Sequence, residues 1–177
     1  MHNPNRNGRG FRIGQGWDRH RLEVGRSCVL GGVHLTDCDR GPAGHSDGDA
    51  VCHALIDALL GALALGDIGT HFPPGEERWK NASGEELMER CMFLIRDRGY
   101  RVLNADATVI LEQPKLGEWK ERIRDRLSEL MGMNRDALSL KAKTAEGLGP
   151  VGSGESVEAQ AVVLLIPDRD GSVDSAS

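Results

Sequence analysis

The stretch Gly48–Leu65, "GDAVCHALIDALLGALAL", decides the fold of this chain. It is rich in Ala and Leu and predicts the most regular helix of the sequence, with Ser46 or Asp47 available as N-cap and Gly66 as the stop. Apolar residues occupy nearly every side of this helix, so we expect it to be buried almost all round. The rest of the chain must therefore wrap around it.

Two further helices are predicted from local signals. The run "SGEEL" is a capping box, in which Glu86 stands three residues after Ser83, and this helix should end at Gly99. The other covers residues 116–131 and stops at Gly132.

Strands are predicted on both sides of these helices. "FRIGQGW" and "SCVLGGVHL" come first, the second with a turn or bulge at Gly31–Gly32, and "LTDCDRGPAGHSDGD" is predicted as a loop. "VLNADATVIL", "ALSLKAKT" and "VEAQAVVLLI" follow the second and third helices. This order is not the strict alternation of a doubly wound fold. We therefore expect a single α+β domain with one mixed β-sheet and helices packed on one face.

Length and charge narrow the class of protein. A chain of 177 residues fits one domain, which we place at residues 11–167 between disordered tails at 1–10 and 168–177. The net charge of −5 argues against a nucleic-acid surface, and no run is apolar enough to span a membrane. There is no signal-peptide pattern, so we expect a soluble cytoplasmic protein. The four scattered cysteines favour ordinary thiols over a disulfide scaffold.

Two short motifs carry ligand chemistry. In "GQGWDRHRL", Asp18 and His20 are two residues apart, which on an extended segment puts both side chains on one face. In the long helix, Asp49, His53 and Asp57 are four residues apart and form a polar stripe inside an otherwise apolar helix. Unpaired charges there would cost much free energy.

Two interpretations of these motifs stay open on spacing alone. One Asp and two His on separate elements suit zinc, with the fourth position open to a substrate oxygen. Alternatively, Asp47 and Asp49 are acids favoured by the positive end of the helix dipole, and His53 is a core histidine. Asp57 is equally compatible with orienting the His53 ring and with lying on the helix surface.

Three other segments could hold an anion or a polar substrate. "GHSDGD" offers His45, Ser46 and backbone N–H groups at a helix start, and Asp67 in "GDIGTHFPPGEE" can accept hydrogen bonds from hydroxyls. The third, "KAKTAEGLGPVGSGE", combines polar side chains with a glycine-rich run, which by itself is more often a plain turn.

Taken together, these motifs resemble one family, the 2-C-methyl-D-erythritol 2,4-cyclodiphosphate synthases of non-mevalonate isoprenoid synthesis. The similarity covers about residues 11–167. Its most specific parts are "RIGQGWDRHRL" and "HSDGDAVCHALIDALLGALALGDIGTHFP", whereas "EQPKL" and "LKAKTAEGLG" match less strictly. The resemblance implies a homotrimer with three active sites, each between neighbouring subunits.

The resemblance also implies a reaction. The substrate would be 4-diphosphocytidyl-2-C-methyl-D-erythritol 2-phosphate, whose own 2-phosphate attacks the β-phosphate and releases CMP. Asp18, His20 and His53 would bind Zn²⁺, which polarises the β-phosphate. A second divalent cation, Mg²⁺ or Mn²⁺, would bridge the α- and β-phosphates with Glu146 as its protein ligand. Positioning and charge neutralisation would supply most of the catalysis.

Further residues receive roles only through this resemblance. His45 and Thr144 would steady the reacting phosphates as the catalytic pair. The expected substrate-binding set comprises Asp18, His20, His45, Ser46, Asp67, Ile68, Gly69, Phe72, Glu76, Leu111, Pro114, Lys115, Leu116, Ala142, Lys143, Thr144, Ala145 and Glu146. Within this set, residues 111–116 and 142–144 would form the cytidine pocket.

The chain also departs from the family pattern. Gln15 replaces a frequent histidine, Pro74 and Gly75 replace acidic and hydroxyl residues of a substrate loop, and Lys143 and Ala145 replace threonines. Pro150 and Ser153 replace an aromatic and an arginine of the trimer-axis cavity, so the motif does not predict that an isoprenoid diphosphate binds there. Two alternatives remain: a zinc-dependent phosphoesterase, and a non-catalytic trimeric protein that binds metal or nucleotide.

Overall fold

The structure, a computed structural model, describes residues 10–168. The tails expected to be disordered lie outside this range, apart from Gly10 and Asp168. Within the described residues the chain forms seven strands, five helices and two 3₁₀ turns (Glu77–Trp79 and Arg135–Ala137). The strands are β1 (Arg12–Val24), β2 (Cys28–Leu30), β3 (Val33–Leu35), β4 (Arg40–Ala43), β5 (Tyr100–Ile110), β6 (Leu138–Lys143) and β7 (Ser156–Pro167). The helices are α1 (Ala50–Ala62), α2 (Ile68–His71), α3 (Gly84–Asp97), α4 (Lys120–Met131) and α5 (Gly149–Gly152).

Five strands form one mixed sheet in the order β4-β1-β7-β5-β6. Only β5 and β6 are parallel, and the other neighbours are antiparallel. The α+β class with a mixed sheet is thus confirmed. The expectation of one sheet needs a correction, because β2 and β3 form a separate two-stranded sheet that turns at Gly31–Gly32.

The helices cover one face of the large sheet. α1 packs across β1 and β7, α3 lies against α1 and β5, and α4 contacts β6 and α3. Burial on β7 alternates accordingly: Ala159 and Ala161 are buried, whereas Gln160 and Val162 are exposed. None of the helices in residues 10–168 is long and apolar enough to cross a membrane.

β1 and α1 approach each other at the level of their backbones. A Cβ atom added to Gly14 would lie 1.9 Å from the Ala58 carbonyl oxygen, and one added to Gly16 would lie 1.9 Å from that of Ala54. Only glycine fits such an approach. Every residue of α1 except Asp57 and Gly61 is buried, as the apolar pattern predicts.

The N-cap of α1 is Asp49, not Ser46 or Asp47 as expected. Asp49 is fully buried, and its carboxylate accepts hydrogen bonds from the backbone N–H groups of Val51 and Cys52, both at 3.1 Å. It also accepts from the N–H groups of Gly31 at 2.8 Å and Gly32 at 2.7 Å. The cap therefore depends on the β2–β3 turn, which local sequence does not reveal. The helix also ends at Ala62, before the predicted stop.

The other predicted elements are confirmed to different extents. α3 is capped as predicted, with Ser83 Oγ accepting from the Glu86 N–H at 3.1 Å. α4 begins at Lys120 and not at residue 116. β1 continues to Val24, and β4 lies in the segment that was expected to be a loop. All four cysteines are free thiols.

The close approach of β1 and α1 gives the first prediction. We expect Gly16→Ala to lower the free energy of unfolding by about 1–3 kcal/mol, because the added methyl must push α1 away from the sheet. Urea unfolding followed by circular dichroism measures this change. Gly117→Ala is the matched control, since a Cβ there meets no atom within 4 Å; its effect should stay within about 0.5 kcal/mol. Equal effects of the two substitutions would contradict the packing argument.

Candidate functional site

Asp18, His20 and His53 converge where β1 meets the first turns of α1. His20 Nε2 lies 2.9 Å and His53 Nδ1 lies 3.2 Å from the same oxygen, Asp18 Oδ2. The two ring nitrogens are 3.1 Å apart. Strand alternation puts Asp18 and His20 on one face of β1, and the glycine contacts bring α1 close enough for His53 to reach them. The structure thus brings together the two motifs whose pairing spacing alone left open.

This triangle of atoms fits a metal ion. Two ligands of a tetrahedral zinc, each at about 2.0–2.1 Å, lie roughly 3.3 Å apart, close to the observed separations. The triad is the group of His, Cys, Asp and Glu side chains in residues 10–168 whose ligand atoms could hold a metal. One carboxylate and two imidazoles leave a fourth position open, as in catalytic zinc sites.

Hydrogen bonds from the far side of each ring orient both imidazoles. His20 Nδ1 lies 2.8 Å from the Ala43 carbonyl oxygen, so this nitrogen carries the proton and Nε2 is free to bind. His53 Nε2 lies 3.3 Å from Ser46 Oγ, which leaves Nδ1 facing Asp18. The Ala43 carbonyl can only accept, so it fixes the tautomer of His20, whereas the Ser46 hydroxyl orients the His53 ring.

The electrostatics of the triad favour a cation between its members. Burial raises the pKa of Asp18, but its hydrogen bonds with His20 and His53 and their charge outweigh burial and hold that pKa well below its usual range. Burial lowers the pKa of His20, but the hydrogen bond and charge of Asp18 more than compensate and raise it overall. The carboxylate therefore stays ionised and attracts positive charge.

The triad lies in the wall of a cavity of about 250 Å³. The cavity brings together part of the expected substrate set, namely Asp18, His20, His45, Ser46, Ile68, Gly69 and Phe72. Pro74, Trp79 and Leu87 also line it, although only Pro74 stood out in the sequence, and then as a departure from the family pattern. The presence of an aromatic residue, Trp79, within a Gly/Pro-rich segment was the feature of the sequence that could have indicated its place in the cavity wall. Its ring packs edge-on against Phe72 at 5.0 Å.

A side chain of α1 anchors the segment that begins at Asp67. Asp57 accepts a hydrogen bond from the Ile68 N–H at 2.7 Å, so it anchors this segment and neither orients His53 nor lies as a free surface acid. Asp67 is exposed and accepts from the N–H and Oγ1 of Thr70 at 2.8 and 2.7 Å. These bonds lower the pKa of Asp67, so it remains an ionised acceptor beside the cavity.

Glu76 and Gln15 lie away from the cavity wall. Glu76 forms an ion pair with Arg78 at 2.5 Å. Gln15 belongs to the sheet face opposite α1, where its Nε2 donates to the Gly16 carbonyl oxygen at 2.9 Å. The structure offers no reason for the replacement of histidine at this position.

The remaining expected residues form a second group at the ends of β5 and β6. Leu111 continues the ladder of these strands by donating its N–H to the Lys143 carbonyl oxygen at 3.0 Å. Pro114 and Lys115 line a different, larger cavity of about 560 Å³, together with Arg40 and Ser153. The structure therefore does not place this group in the cavity of the triad.

Strand register gives the separation of the two groups. Asp18 pairs with Ala159, Ala159 with Val109, and Val109 with Ala142, so all four occupy one row of the sheet. Three inter-strand steps at about 4.8 Å separate Asp18 from Ala142 by roughly 14 Å. Ala159 and Val109 are fully buried beneath the helices. The space between the two groups within one chain is therefore filled.

Comparisons with known proteins agree on one family. The model of the YgbB family matches residues 11–166. The 2-C-methyl-D-erythritol 2,4-cyclodiphosphate synthase of Xanthomonas oryzae pv. oryzae (strain PXO99A) is 53% identical over 155 residues, which cover 88% of this chain and 94% of the relative. A solved 2C-methyl-D-erythritol-2,4-cyclodiphosphate synthase with bound CDP is 44% identical, has a TM-score of 0.81 and is matched over 87% of this chain and 99% of its own. The Plasmodium falciparum IspF–CDP complex is 34% identical with a TM-score of 0.79, over 91% and 99% of the two chains.

The second prediction tests the ligand triangle. We expect His53→Ala to lose most of its bound zinc, because two ligands remain where three converge. Elemental analysis after dialysis against buffered zinc measures the content, and circular dichroism checks that the helices persist. His34→Ala, an exposed histidine on β3, is the control and should keep the wild-type zinc content. A full zinc complement in His53→Ala would refute the assignment.

Proposed function

Because the chain belongs to the YgbB family, we propose that it is a cyclising phosphorus–oxygen lyase that forms 2-C-methyl-D-erythritol 2,4-cyclodiphosphate. The substrate is 4-diphosphocytidyl-2-C-methyl-D-erythritol 2-phosphate. An oxygen of its 2-phosphate attacks the β-phosphorus, the bond from that phosphorus to the bridging oxygen breaks, and CMP leaves with that oxygen. No water enters the reaction.

The observation that supports this proposal best is the Asp18–His20–His53 triangle in the wall of a cavity lined by both polar and apolar side chains. We assign these residues to zinc, which supplies Lewis-acid polarisation of a phosphate oxygen when bound. The chain itself keeps Asp18 ionised, hydrogen-bonds the outer nitrogen of each imidazole and places the triad beside a cavity large enough for a small polyol phosphate. A hydrolase would need a similar metal set, so the family decides between the two chemistries.

Residues around the triad bind and fold the substrate in this proposal. His45 and Ser46 donate to its phosphates, and Asp67 with the Ile68–Gly69 backbone binds the methylerythritol hydroxyls. Phe72 closes the apolar side of the cavity. We also assign Glu76 a substrate contact, although its carboxylate is engaged by Arg78. Bringing the two phosphates together is a proximity problem, and correct orientation of reacting groups supplies a large part of such a barrier.

The second group binds the nucleotide. We assign the cytidine to Leu111, Pro114, Lys115, Leu116 and Ala142, and the reacting phosphates to Lys143, Thr144 and Ala145. Glu146 is assigned to a second divalent cation, Mg²⁺ or Mn²⁺. Its carboxylate is exposed and lies 2.5 Å from Thr144 Oγ1, so a cation and a phosphate could approach both.

The two groups meet only if another copy of the chain completes the site. Within one chain they lie roughly 14 Å apart along the sheet, and buried side chains fill the interval. The sheet face opposite the helices carries exposed apolar residues, with Ile13 72% and Trp17 46% exposed. We propose that this face is covered in a homotrimer, whose neighbouring subunits bring a triad and a nucleotide group together.

The third prediction distinguishes the candidate functions. Incubation of the protein with the cytidylyl substrate, followed by ³¹P NMR, should show CMP and a cyclic diphosphate. EDTA should abolish the conversion, and zinc with magnesium should restore it. Linear hydrolysis products would instead show a phosphoesterase, and unchanged substrate would show a non-catalytic binding protein. Either of these results would refute the proposed function.

The fourth prediction tests Thr144 and the shared site. Thr144→Ala should lower turnover about tenfold or more, because a phosphate contact is lost, while zinc content stays at the wild-type level. Trimers reassembled from equal amounts of Thr144→Ala and His53→Ala chains should regain activity. In random trimers about a quarter of the sites combine the intact triad of a Thr144→Ala chain with the intact nucleotide group of a His53→Ala chain. Unchanged turnover in Thr144→Ala would remove its phosphate role, and the absence of recovery in mixtures would contradict shared sites.

A further inference from the structure

Glu112 joins the two segments that make up the nucleotide group. It follows Leu111 directly, at the end of β5, and its carboxylate is three-quarters buried, with 24% of the side chain exposed. Oε2 accepts a hydrogen bond from the backbone N–H of Ala145 at 3.1 Å. Oε1 lies 3.9 Å from Lys115 Nζ. One side chain thus contacts both segments. The sequence placed Glu112 within residues 111–116 of the expected cytidine pocket but gave it no role of its own.

The contact with Ala145 is the stronger of the two. A hydrogen bond between a carboxylate and a backbone N–H is charge-assisted and directional. Lys115, in contrast, is 61% exposed and its nitrogen lies near the 4 Å limit for an ion pair, so water screens most of that attraction. The effect of Glu112 therefore acts mainly through the amide of Ala145.

Ala145 lies inside a turn with an uncommon backbone conformation. The next residue, Glu146, has φ = 52°, in the left-handed region that non-glycine residues rarely adopt. Such a conformation persists only where surrounding contacts maintain it. On the other side, Thr144 Oγ1 donates to Glu146 Oε1 at 2.5 Å. The hydrogen bond from Ala145 to Glu112 ties this turn to the segment that follows β5.

We propose that Glu112 is a positioning residue for the phosphate chemistry: its carboxylate holds the Thr144–Glu146 turn through the amide of Ala145. The inference rests on the proposed function, because Thr144 and Glu146 have their roles only in that reaction. Glu112 itself does not contact the reacting atoms. It sets where the Thr144 hydroxyl and the Glu146 carboxylate stand relative to the cytidine pocket.

Three substitutions separate the amide contact from charge. Glu112→Gln keeps an oxygen that can accept from Ala145 but loses the negative charge. Glu112→Asp keeps the charge but is one methylene shorter, so its oxygens withdraw from Ala145. Glu112→Ala removes both. The proposal predicts that Glu112→Gln retains kcat within about threefold of wild type. Glu112→Asp and Glu112→Ala should lower kcat about 10- to 100-fold, as misplacement of a reacting group does.

A second readout distinguishes positioning from collapse of the pocket. CMP, titrated by calorimetry without divalent cations, should bind each variant within about threefold of the wild-type affinity, because residues 111–116 keep their places and CMP lacks the β-phosphate that the Thr144–Glu146 turn would contact. In a double-mutant cycle, Glu112→Ala should add little to Thr144→Ala, since both act on the same turn. Glu89→Ala is the control: Glu89 is exposed on α3, away from the nucleotide group, and forms no ion pair in the described part of the chain. It should leave kcat and CMP affinity unchanged.

The outcomes that overturn the inference differ from those that overturn the function. Any of four results would refute the positioning role: wild-type kcat in Glu112→Ala, full activity in Glu112→Asp with loss in Glu112→Gln, additive effects with Thr144→Ala, or loss of CMP binding. The function would remain intact as long as the wild type releases CMP. Failure of the wild type to release CMP would refute both. If Glu112→Ala does not fold, the kcat values of the other two variants decide: a higher kcat in Glu112→Gln than in Glu112→Asp supports the positioning role, and the reverse order refutes it.

Discussion

The direct contact between the backbones of β1 and α1 is the constraint on which the rest of the structure depends. Gly14 and Gly16 let the carbonyl oxygens of α1 lie where a Cβ would otherwise stand. Strand alternation continues this glycine face to Asp18 and His20. The glycines that make the helix fit therefore also bring His53 within hydrogen-bond reach of the carboxylate. Packing and ligand geometry here have one common cause.

Two carboxylates near α1 are stabilised in different ways, which gives one of them a structural role and leaves the other able to bind a ligand. Asp49 is fully buried, and four backbone N–H groups surround its oxygens; burial raises its pKa. Its bonding capacity is used within the chain, so it fixes where α1 begins. Asp18 faces imidazoles and a cavity, and its pKa is held low. An ionised group with open space beside it can bind a cation, whereas a saturated buried one cannot.

Local signals in the sequence correctly predicted those element boundaries that hydrogen bonds between near neighbours in sequence determine. The capping box at Ser83 placed the start of α3 correctly, because its partner is three residues away. β4 was missed since Gly41 and Pro42 are typical of loops, but β4 is an edge strand, where a missing N–H is tolerated. The cap of α1 depends on Gly31 and Gly32, which are distant in sequence. For the site, alternation and helical spacing each gave half of the triad. Ligand chemistry suggested that the two halves pair, spacing left that pairing open, and the family resemblance made it a specific prediction. The structure now supplies the distances, while the roles of the nucleotide residues stay proposals.

The helix that carries His53 also separates the two groups of residues to which the proposed function assigns one site. α1 lies across β1 and β7, and the row from Asp18 to Ala142 runs beneath the helices. A substrate that touches both ends must therefore span two copies, if the proposed function holds. The exposed sheet face then acquires a role in catalysis without contacting the substrate. In the proposed trimer, any change that weakens the contacts of this face, for example at Ile13, would lower the number of complete sites and leave both halves of each chain intact. The proposal thus couples assembly and activity through a surface that carries none of the reacting groups.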